Sequence, residues 1–354
     1  MSVPSGSTPG RIPELDGLRG IAILLVVFYH YFRRFPTDVP FGDHLMPWLE
    51  HGYLGVHLFF MISGFVIAYT LERSRGPGMF IRHRFFRLWP AMLVCSVITF
   101  AVMHLVDTPF AEARRVGWSG FLPSLTFTAV FIWRPFLPVE NYIDGAYWSL
   151  FVEVRFYFWA VLIAAILGAR RLPVVLFAAG AVLTVVWHLF DSPALRFYLD
   201  TLFFVQYLPL FVVGVLAHAA MTGASLRLCL GGIALGWAGA LSLAANRPDM
   251  VGVTLFVALF VMLILARGLL VWLTLRPLVW VGGISYSLYL LHQNIGVTVI
   301  AALPAGWSDG AYLGAVGLIT LAMMGLAWGV FTWVERPAQR LARRLDRAPV
   351  AAPA

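Results

Sequence analysis

The sixteen residues from Leu15 to His30, LDGLRGIAILLVVFYH, indicate which class of fold this chain adopts. They form an apolar run of the kind that crosses a membrane as a helix, yet they contain three ionisable side chains, Asp16, Arg19 and His30. Ionisable groups inside a membrane span are energetically costly and usually mark a function. The stretch therefore predicts a membrane helix that carries part of a functional site.

Arg19 and His30 project from the same side of this helix. Their separation of eleven residues corresponds to three turns plus about 20°, and to about 16 Å along the axis. A cation near the membrane surface and an imidazole deeper in the same stripe indicate a site that reaches inward from the aqueous edge. This stretch alone is equally compatible with Arg19 snorkelling to lipid headgroups and His30 capping the far end of the helix.

The composition of the whole chain indicates a polytopic membrane protein. Of its 354 residues 60% are hydrophobic and 12% are charged, whereas soluble domains carry about 25% charged residues. The net charge of +8 comes from arginines in short loops between apolar spans, a pattern typical of membrane topology and contact with lipids rather than of nucleic-acid binding. The two cysteines, Cys95 and Cys229, each lie in a candidate span, so neither a disulfide framework nor a metal site is predicted.

Ten segments are long and apolar enough to cross a membrane. They are 15–34, 52–72, 88–106, 146–168, 173–190, 199–220, 228–245, 250–267, 278–303 and 311–334. Segment 120–137 is short and interrupted by proline, and it could be either an eleventh span or a re-entrant segment. The arginine-rich loop 73–87 and the basic tail after Glu335 are both cytoplasmic by the positive-inside rule, so an even number of spans connects them. The prediction is an all-α bundle of about ten transmembrane helices with both termini cytoplasmic and 107–145 outside.

Three arginines, Arg82, Arg84 and Arg87, precede Pro90 at the start of the third span. Arginine is well suited to bidentate phosphate binding. Taken alone, however, the cluster is better explained by topology or by contact with lipid headgroups.

The fourth span carries Glu153 and Arg155 about two turns inside apolar sequence. A carboxylate at that depth must be paired, protonated or exposed to a wet cavity. Because Glu153 lies at a depth similar to His30, the two side chains could share proton-transfer work. The alternative is that Glu153 forms a structural pair with an arginine or histidine between helices.

The last two spans also carry polar side chains. In the ninth, Ser285 and His292 are seven residues apart and share a face, which favours a helix that hydrogen-bonds within the bundle. Glu335 and Arg336 end the tenth, and the following Pro337 indicates a helix stop.

The set of motifs in this chain resembles the membrane-integral acyltransferase-3 family. In chain order they are LDGLRGIA with His30, GVHLFFMISGFVI, RHRFFRLWP, YWSLFVEVRFY, SYSLYLLH and ERP. The resemblance implies a tail over 1–14, a membrane-integral acyltransferase domain over 15–337 and a basic tail over 338–354. It is similar to the stand-alone form of the family, without an appended extracytoplasmic hydrolase-like domain.

The resemblance implies an O-acyltransferase of the cell (inner) membrane. It would move an acyl group, usually acetyl, from cytoplasmic acyl-CoA to a hydroxyl of a surface or extracytoplasmic glycan, with no metal. Arg19 and His30 match the family's Arg–ten–His signature, and Glu153 matches its glutamate. Arg84 and Arg87 match its basic cluster. His30 and Glu153 are therefore the expected catalytic residues, and the three arginines the expected donor ligands.

Two other functions remain open from the sequence. An O-acyltransferase acting on a small-molecule, macrolide-like sugar would use the same residues with different outer loops. A transporter or flippase of a glycan intermediate would also need a polar cavity inside the bundle.

Overall fold

The computed structural model describes residues 12–346, and over that range the chain forms helices and connecting turns without a β-strand. Its α-helices are α1 Pro13–Phe32, α2 Gly55–Arg73, α3 Pro77–Leu105, α4 Pro109–Arg114, α5 Phe121–Thr126, α6 Val130–Trp133, α7 Trp148–Leu167, α8 Leu172–Leu189, α9 Pro193–Phe203, α10 Leu208–Met221, α11 Leu226–Ser242, α12 Arg247–Leu265, α13 Arg276–Leu291, α14 Val297–Ala301, α15 Asp309–Val330 and α16 Arg336–Leu345. Shorter 3₁₀ turns include Gly52–Leu54 and Arg267–Thr274, and π-helical turns occur at His292–Gly296 and Phe331–Glu335. The predicted all-α class is confirmed.

Every predicted span falls on helical structure. Within residues 12–346, eight helical segments are long and apolar enough to cross a membrane. A ninth is added if Arg267–Thr274 and Arg276–Ala301, which are bent by 75°, form one span. The remaining predicted span, 228–245, corresponds to α11, whose 17 residues fall short of the roughly 20 that a bilayer requires. The chain is a multi-pass membrane protein, and the count of ten spans stays a prediction.

The segment from 107 to 145 contains only short helices. Within 120–137, α5 has six residues and α6 has four, which correspond to about 9 and 6 Å of helix. Phe127 ends α5 in a left-handed conformation with φ 53°. Because the hydrocarbon core is about 30 Å thick, neither helix is an eleventh span. A re-entrant position for this segment stays a prediction.

Helices α1 and α13 run in the same direction. A Cβ added to Gly17, near the start of α1, would lie 2.0 Å from the carbonyl oxygen of Leu273, just before α13. Near the other end of α1, the side chain of Tyr31 lies against Gly296, just beyond α13. Parallel packing agrees with their predicted places as the first and ninth spans.

Two glycines allow these helices to cross with their backbones in contact. A Cβ added to Gly20 would lie 2.4 Å from a carbonyl oxygen of α13, and one added to Gly282 would lie 1.8 Å from a carbonyl oxygen of α1. Small residues permit such an approach between membrane helices. His30 and His292 are each ten residues beyond one of these glycines, or about 15 Å along the axis. The crossing of parallel helices therefore brings the two histidines to the same level.

Glu14 and Asp346, which are near the two limits of the described range, lie on the same side of the bundle. At the start of α1, Glu14 accepts two hydrogen bonds of 2.7 Å from Arg267. Just after α16, Asp346 contacts Arg82 near the start of α3. The two regions are adjacent, because Arg19 of α1 lines the same cavity as the first part of α3. This arrangement agrees with an even number of crossings, and the cytoplasmic assignment of that side stays a prediction.

The expected helix stop at Pro337 is wrong. A π-helical turn at Phe331–Glu335 follows α15, and α16 then continues to Leu345. Pro337 stands at the second residue of α16, directly after the π-helical turn, which is the kind of local irregularity that accommodates a proline within a continuous helix. The predicted domain boundary after residue 337 therefore falls inside a helix. Most of the predicted tail over 1–14, and the end of the basic tail, lie outside the described residues.

Candidate active site

An inner cavity near the predicted cytoplasmic side brings together four of the five predicted site residues. Arg19 comes from α1, Arg84 and Arg87 from α3, and Glu153 from α7. These side chains are far apart in the sequence, and the helix packing places them around one space. The cavity has a volume of about 70 Å³, well below the roughly 300–1,000 Å³ of pockets that hold organic ligands.

Arg84 is held firmly in the wall of the inner cavity. The side chain is buried, and its guanidinium donates a hydrogen bond of 2.7 Å to the hydroxyl of Thr70. The same guanidinium lies 5.3 Å from the ring centre of Phe80 and 5.4 Å from that of Tyr157. Hydrogen bonding and cation–π contact compensate a charge that would otherwise be costly to bury.

Glu153 is bound by two hydroxyl groups. Its Oε1 accepts hydrogen bonds from Ser63 at 2.7 Å and from Tyr157 at 2.6 Å. The neighbouring Arg155 points elsewhere and donates to backbone oxygens, including that of Asp200 at 3.0 Å. The structure therefore shows no pairing of Glu153 with Arg155, and it places this carboxylate in the arginine-lined cavity.

A second carboxylate adjoins the arginines and was expected only as a boundary signal. Glu335 is 4% exposed and accepts a hydrogen bond from Ser287 of α13. It interacts electrostatically with Arg87 and Arg19. The sequence showed only an acidic residue at the end of an apolar span. The side chain of Glu335 points into the bundle because of the way α15 packs against α13.

His30 lies beside a second histidine, His292. The rings of His30 and His292 have centroids 4.9 Å apart, and Nε2 of His292 lies 3.3 Å from Nδ1 of His30. Nδ1 of His30 is also 2.8 Å from the carbonyl oxygen of Val26, while Nδ1 of His292 is 2.8 Å from that of Tyr289. Among the described residues, no group of three or more His, Cys, Asp or Glu side chains is placed to hold a metal ion.

These contacts assign the hydrogens of both neutral rings. The Tyr289 carbonyl oxygen can only accept, so Nδ1 of His292 carries the hydrogen and its Nε2 has a lone pair. By the same argument, Nδ1–H of His30 is shared between the Val26 oxygen and Nε2 of His292. The Nε2 atom of His30 is then unprotonated and is able to accept a proton.

His30 stands between two cavities on the side of the bundle opposite to Glu14 and Asp346. The first outer cavity, of about 380 Å³, is also lined by Tyr53, His57, Trp148, Tyr207, Asn246 and Asp249. The second outer cavity, of about 410 Å³, is also lined by Arg34, Arg114, Arg115, Glu140, Asn141 and Gln293.

His30 and Glu153 do not line the same cavity. Tyr289 and Val56 line both the inner cavity and the first outer cavity, so they stand between the two. The hypothesis that Glu153 acts directly on His30 is therefore not supported by the geometry, because the contacts of the imidazole are with the Val26 carbonyl oxygen and with His292. The predicted topology put the two side chains at a similar depth, whereas the structure places them in the walls of different cavities.

Comparison with known proteins agrees with the motifs. A family model described as an acyltransferase domain matches residues 12–333, which is most of the chain. This protein belongs to the acyltransferase-3 family. The acyltransferase is therefore an enzyme that takes an acyl group from a donor, as its motif order predicted.

Relatives with long alignments carry similar descriptions. The acyltransferase is 30% identical to acyltransferase MdmB of Streptomyces mycarofaciens over 96% of its own chain and 94% of the relative. It is 28% identical to the putative membrane-bound transacylase BcsY of Komagataeibacter xylinus, over 97% and 86%. It is also 28% identical to O-acetyltransferase OatA of Staphylococcus aureus, over 47% of this chain and 27% of that protein. No solved structure matches the acyltransferase.

Proposed function

We propose that this acyltransferase moves an acyl group, with acetyl as the expected case, from cytoplasmic acyl-CoA to a hydroxyl of a surface or extracytoplasmic glycan, working in the cell (inner) membrane. One observation carries the proposal. An arginine-lined cavity and a histidine-lined cavity follow each other along α1 and share Tyr289 and Val56 in their walls. Transfer across a membrane requires such a donor site, an acceptor site and a single passage between them.

The arginines of the inner cavity are the proposed ligands of the donor's phosphates. Arg19, Arg84 and Arg87 present planar guanidinium groups, which suit bidentate contact with phosphate oxygens. In the absence of donor, Glu153 and Glu335 balance part of this positive charge. We propose that Glu153 serves the reaction from this cavity, by orienting the arginines.

The pantetheine arm would extend from the arginines toward His30. The distance of about 16 Å along α1 suits a long, thin donor better than a compact solute. Because the inner cavity measures only about 70 Å³, donor binding has to displace side chains. Tyr289 is the expected obstacle, since its hydroxyl is held by the Ala146 carbonyl oxygen and by Ser149, each at 2.7 Å.

At the outer end, His30 would act as the general base. Its Nε2 takes the proton of the acceptor hydroxyl while the oxygen attacks the thioester carbonyl carbon. An ester bond forms, the carbon–sulfur bond breaks, and the proton passes to the departing thiolate to give free CoA. Nε2 of His292 accepts from Nδ1–H of His30 and stabilises the imidazolium. A covalent acyl-His30 intermediate would use the same nitrogen, and trapping with labelled acetyl-CoA distinguishes the two routes.

Acetyl-CoA binding tests the proposal without knowledge of the acceptor. We expect acetyl-CoA to raise the Tm of both the wild-type protein and His30→Ala, each purified in detergent. Arg19→Ala should bind about tenfold to a hundredfold more weakly, because a charged hydrogen bond to phosphate is lost. Arg196→Ala is the control, since Arg196 pairs with the exposed Asp191 and does not line the inner cavity.

His30→Ala should bind acetyl-CoA and fail to transfer the acetyl group. Normal transfer by His30→Ala would refute the central role of this histidine. Wild-type protein that is well folded and indifferent to acetyl-CoA would instead favour the transporter or flippase alternative.

A further inference from the structure

The first outer cavity carries polar groups that the acyl-transfer step does not use. Asp249, near the start of α12, and Tyr53, just before α2, line the same cavity as His30. We propose that this cavity is the acceptor site, in which the Asp249 carboxylate held by Tyr53 binds neighbouring hydroxyls of one monosaccharide ring. The inference rests on the proposed function, because it takes His30 as the base that meets the acceptor.

Asp249 is fixed in position and retains unused acceptor capacity. Its Oδ1 accepts a hydrogen bond from the Tyr53 hydroxyl, and its backbone N–H donates to the Asn246 side-chain oxygen at 2.9 Å. His51 approaches the same carboxylate oxygen only to 4.0 Å. A carboxylate offers about four lone-pair sites. Asp249 can therefore accept further hydrogen bonds from the hydroxyls of a ligand in the cavity.

His57 contributes an independent sign of a missing hydrogen-bond partner. Its Nδ1 is buried and has no partner among the described residues, and its ring lies 5.7 Å from that of Tyr207. Buried polar side-chain atoms in proteins are nearly always paired. Because His57 lines the first outer cavity, a rotation of its ring toward the cavity would allow a bound ligand hydroxyl to supply the partner.

Size and shape favour a single sugar ring. The volume of about 380 Å³ lies at the low end of the range for pockets that bind small organic molecules. Trp148 and Tyr207 line the cavity with ring centroids 5.6 Å apart. Aromatic faces of this kind cover the apolar C–H groups of a ring, while polar groups at its edge bind the hydroxyls.

The second outer cavity is of similar size, and two of its four charged residues, Arg114 and Arg115, are already engaged in ion pairs. Arg114 pairs with Asp38 at 3.2 Å. Arg115 pairs with Asp107 at 2.6 Å and also donates to the Met103 carbonyl oxygen at 2.7 Å. A ligand there would have to compete with these contacts. The acceptor is therefore assigned to the first outer cavity.

Saturation-transfer NMR on the full-length protein in lipid nanodiscs tests the inference directly. The probes are a panel of methyl glycosides of hexoses and 6-deoxyhexoses, with cyclohexanol as a ring that has a single hydroxyl. We expect at least one glycoside to bind and cyclohexanol not to bind. Asp249→Asn should weaken that binding about tenfold or more, since a charged acceptor is lost.

Asp309→Asn is the matched control, because Asp309 lies in the first turn of α15 as Asp249 does in α12, yet it does not line the cavity. Tyr53→Phe removes the donor that holds Asp249 and should weaken the same glycoside. Retained acetyl-CoA binding would show that Asp249→Asn is folded. If Asp249→Asn does not fold, Tyr53→Phe provides the test instead. No glycoside bound by wild type, or unchanged binding in both variants, would overturn the inference. If wild-type protein does not respond to acetyl-CoA, the proposed function is refuted instead.

Discussion

Replacing Gly282 by alanine tests whether the crossing of α1 and α13 sets the distance between His30 and His292. The added Cβ would lie 1.8 Å from the carbonyl oxygen of Asp16, whereas ordinary contact begins at 3.4 Å. The helices must therefore separate by about 1.6 Å at the crossing. If α13 moves as a rigid body, the histidine nitrogens, now 3.3 Å apart, separate to about 5 Å, beyond hydrogen-bond range.

The displacement should reduce both stability and activity. Overpacking costs about 1–3 kcal/mol, and the better helix propensity of alanine offsets about 1 kcal/mol of this. A shift of about 1 Å in a catalytic constellation can cost about 10²-fold in rate. We therefore expect Gly282→Ala to lower the Tm and to slow acyl transfer by about tenfold to a hundredfold.

Gly283 provides the matched control for this experiment. A Cβ added there has no atom within 4 Å, so Gly283→Ala gains helix propensity without a clash. Initial rates of acetyl transfer and Tm values are compared for the two variants in the same detergent. Equal rates and equal Tm values for Gly282→Ala and Gly283→Ala would refute the claim that this crossing positions the histidines.

Two further predictions concern the outer side of the bundle. His292→Phe should lower the transfer rate by about tenfold with acetyl-CoA affinity unchanged, because His30 loses one hydrogen-bond acceptor. His292→Gln restores an acceptor oxygen and should recover most of the rate. A normal transfer rate in His292→Phe would contradict this role. Burial raises the pKa of Asp144, which lies outside the spans, from 3.8 to about 7. The folded protein then holds this proton more tightly than the unfolded chain, so the Tm should fall as the pH rises from about 4 through about 7 and should level off above that. Asp144→Asn should remove this part of the slope, and an identical slope in the variant would contradict the assignment.

Much of the architecture was predictable from local sequence. Runs of about 20 apolar residues identify membrane helices because the bilayer requires that length, and each predicted run falls on helical structure. Three details differ from the prediction. The segment 228–245 has a helix of only 17 residues, the ninth span is bent by 75°, and the chain continues as a helix past Pro337.

The candidate site was predictable only in part. Motif order identified Arg19, Arg84, Arg87 and Glu153, and the structure places these four around one cavity. It places His30 on other cavities, beside a histidine that the sequence favoured only as a hydrogen-bonding residue. Helical periodicity gives the direction of a side chain around its own axis, but it does not indicate which neighbouring helix that side will meet.

The sequence by itself determined that this protein is an all-helical membrane enzyme of one acyltransferase family, because span length, charge pattern and motif order are properties of the chain read locally. Only the tertiary structure decided that His30 meets His292, that Glu153 lies with the arginines, and that Asp249 lines a cavity beside His30. These juxtapositions arise where separate helices pack together. At the crossing of α1 and α13, the absence of a Cβ at Gly20 and Gly282 sets the approach.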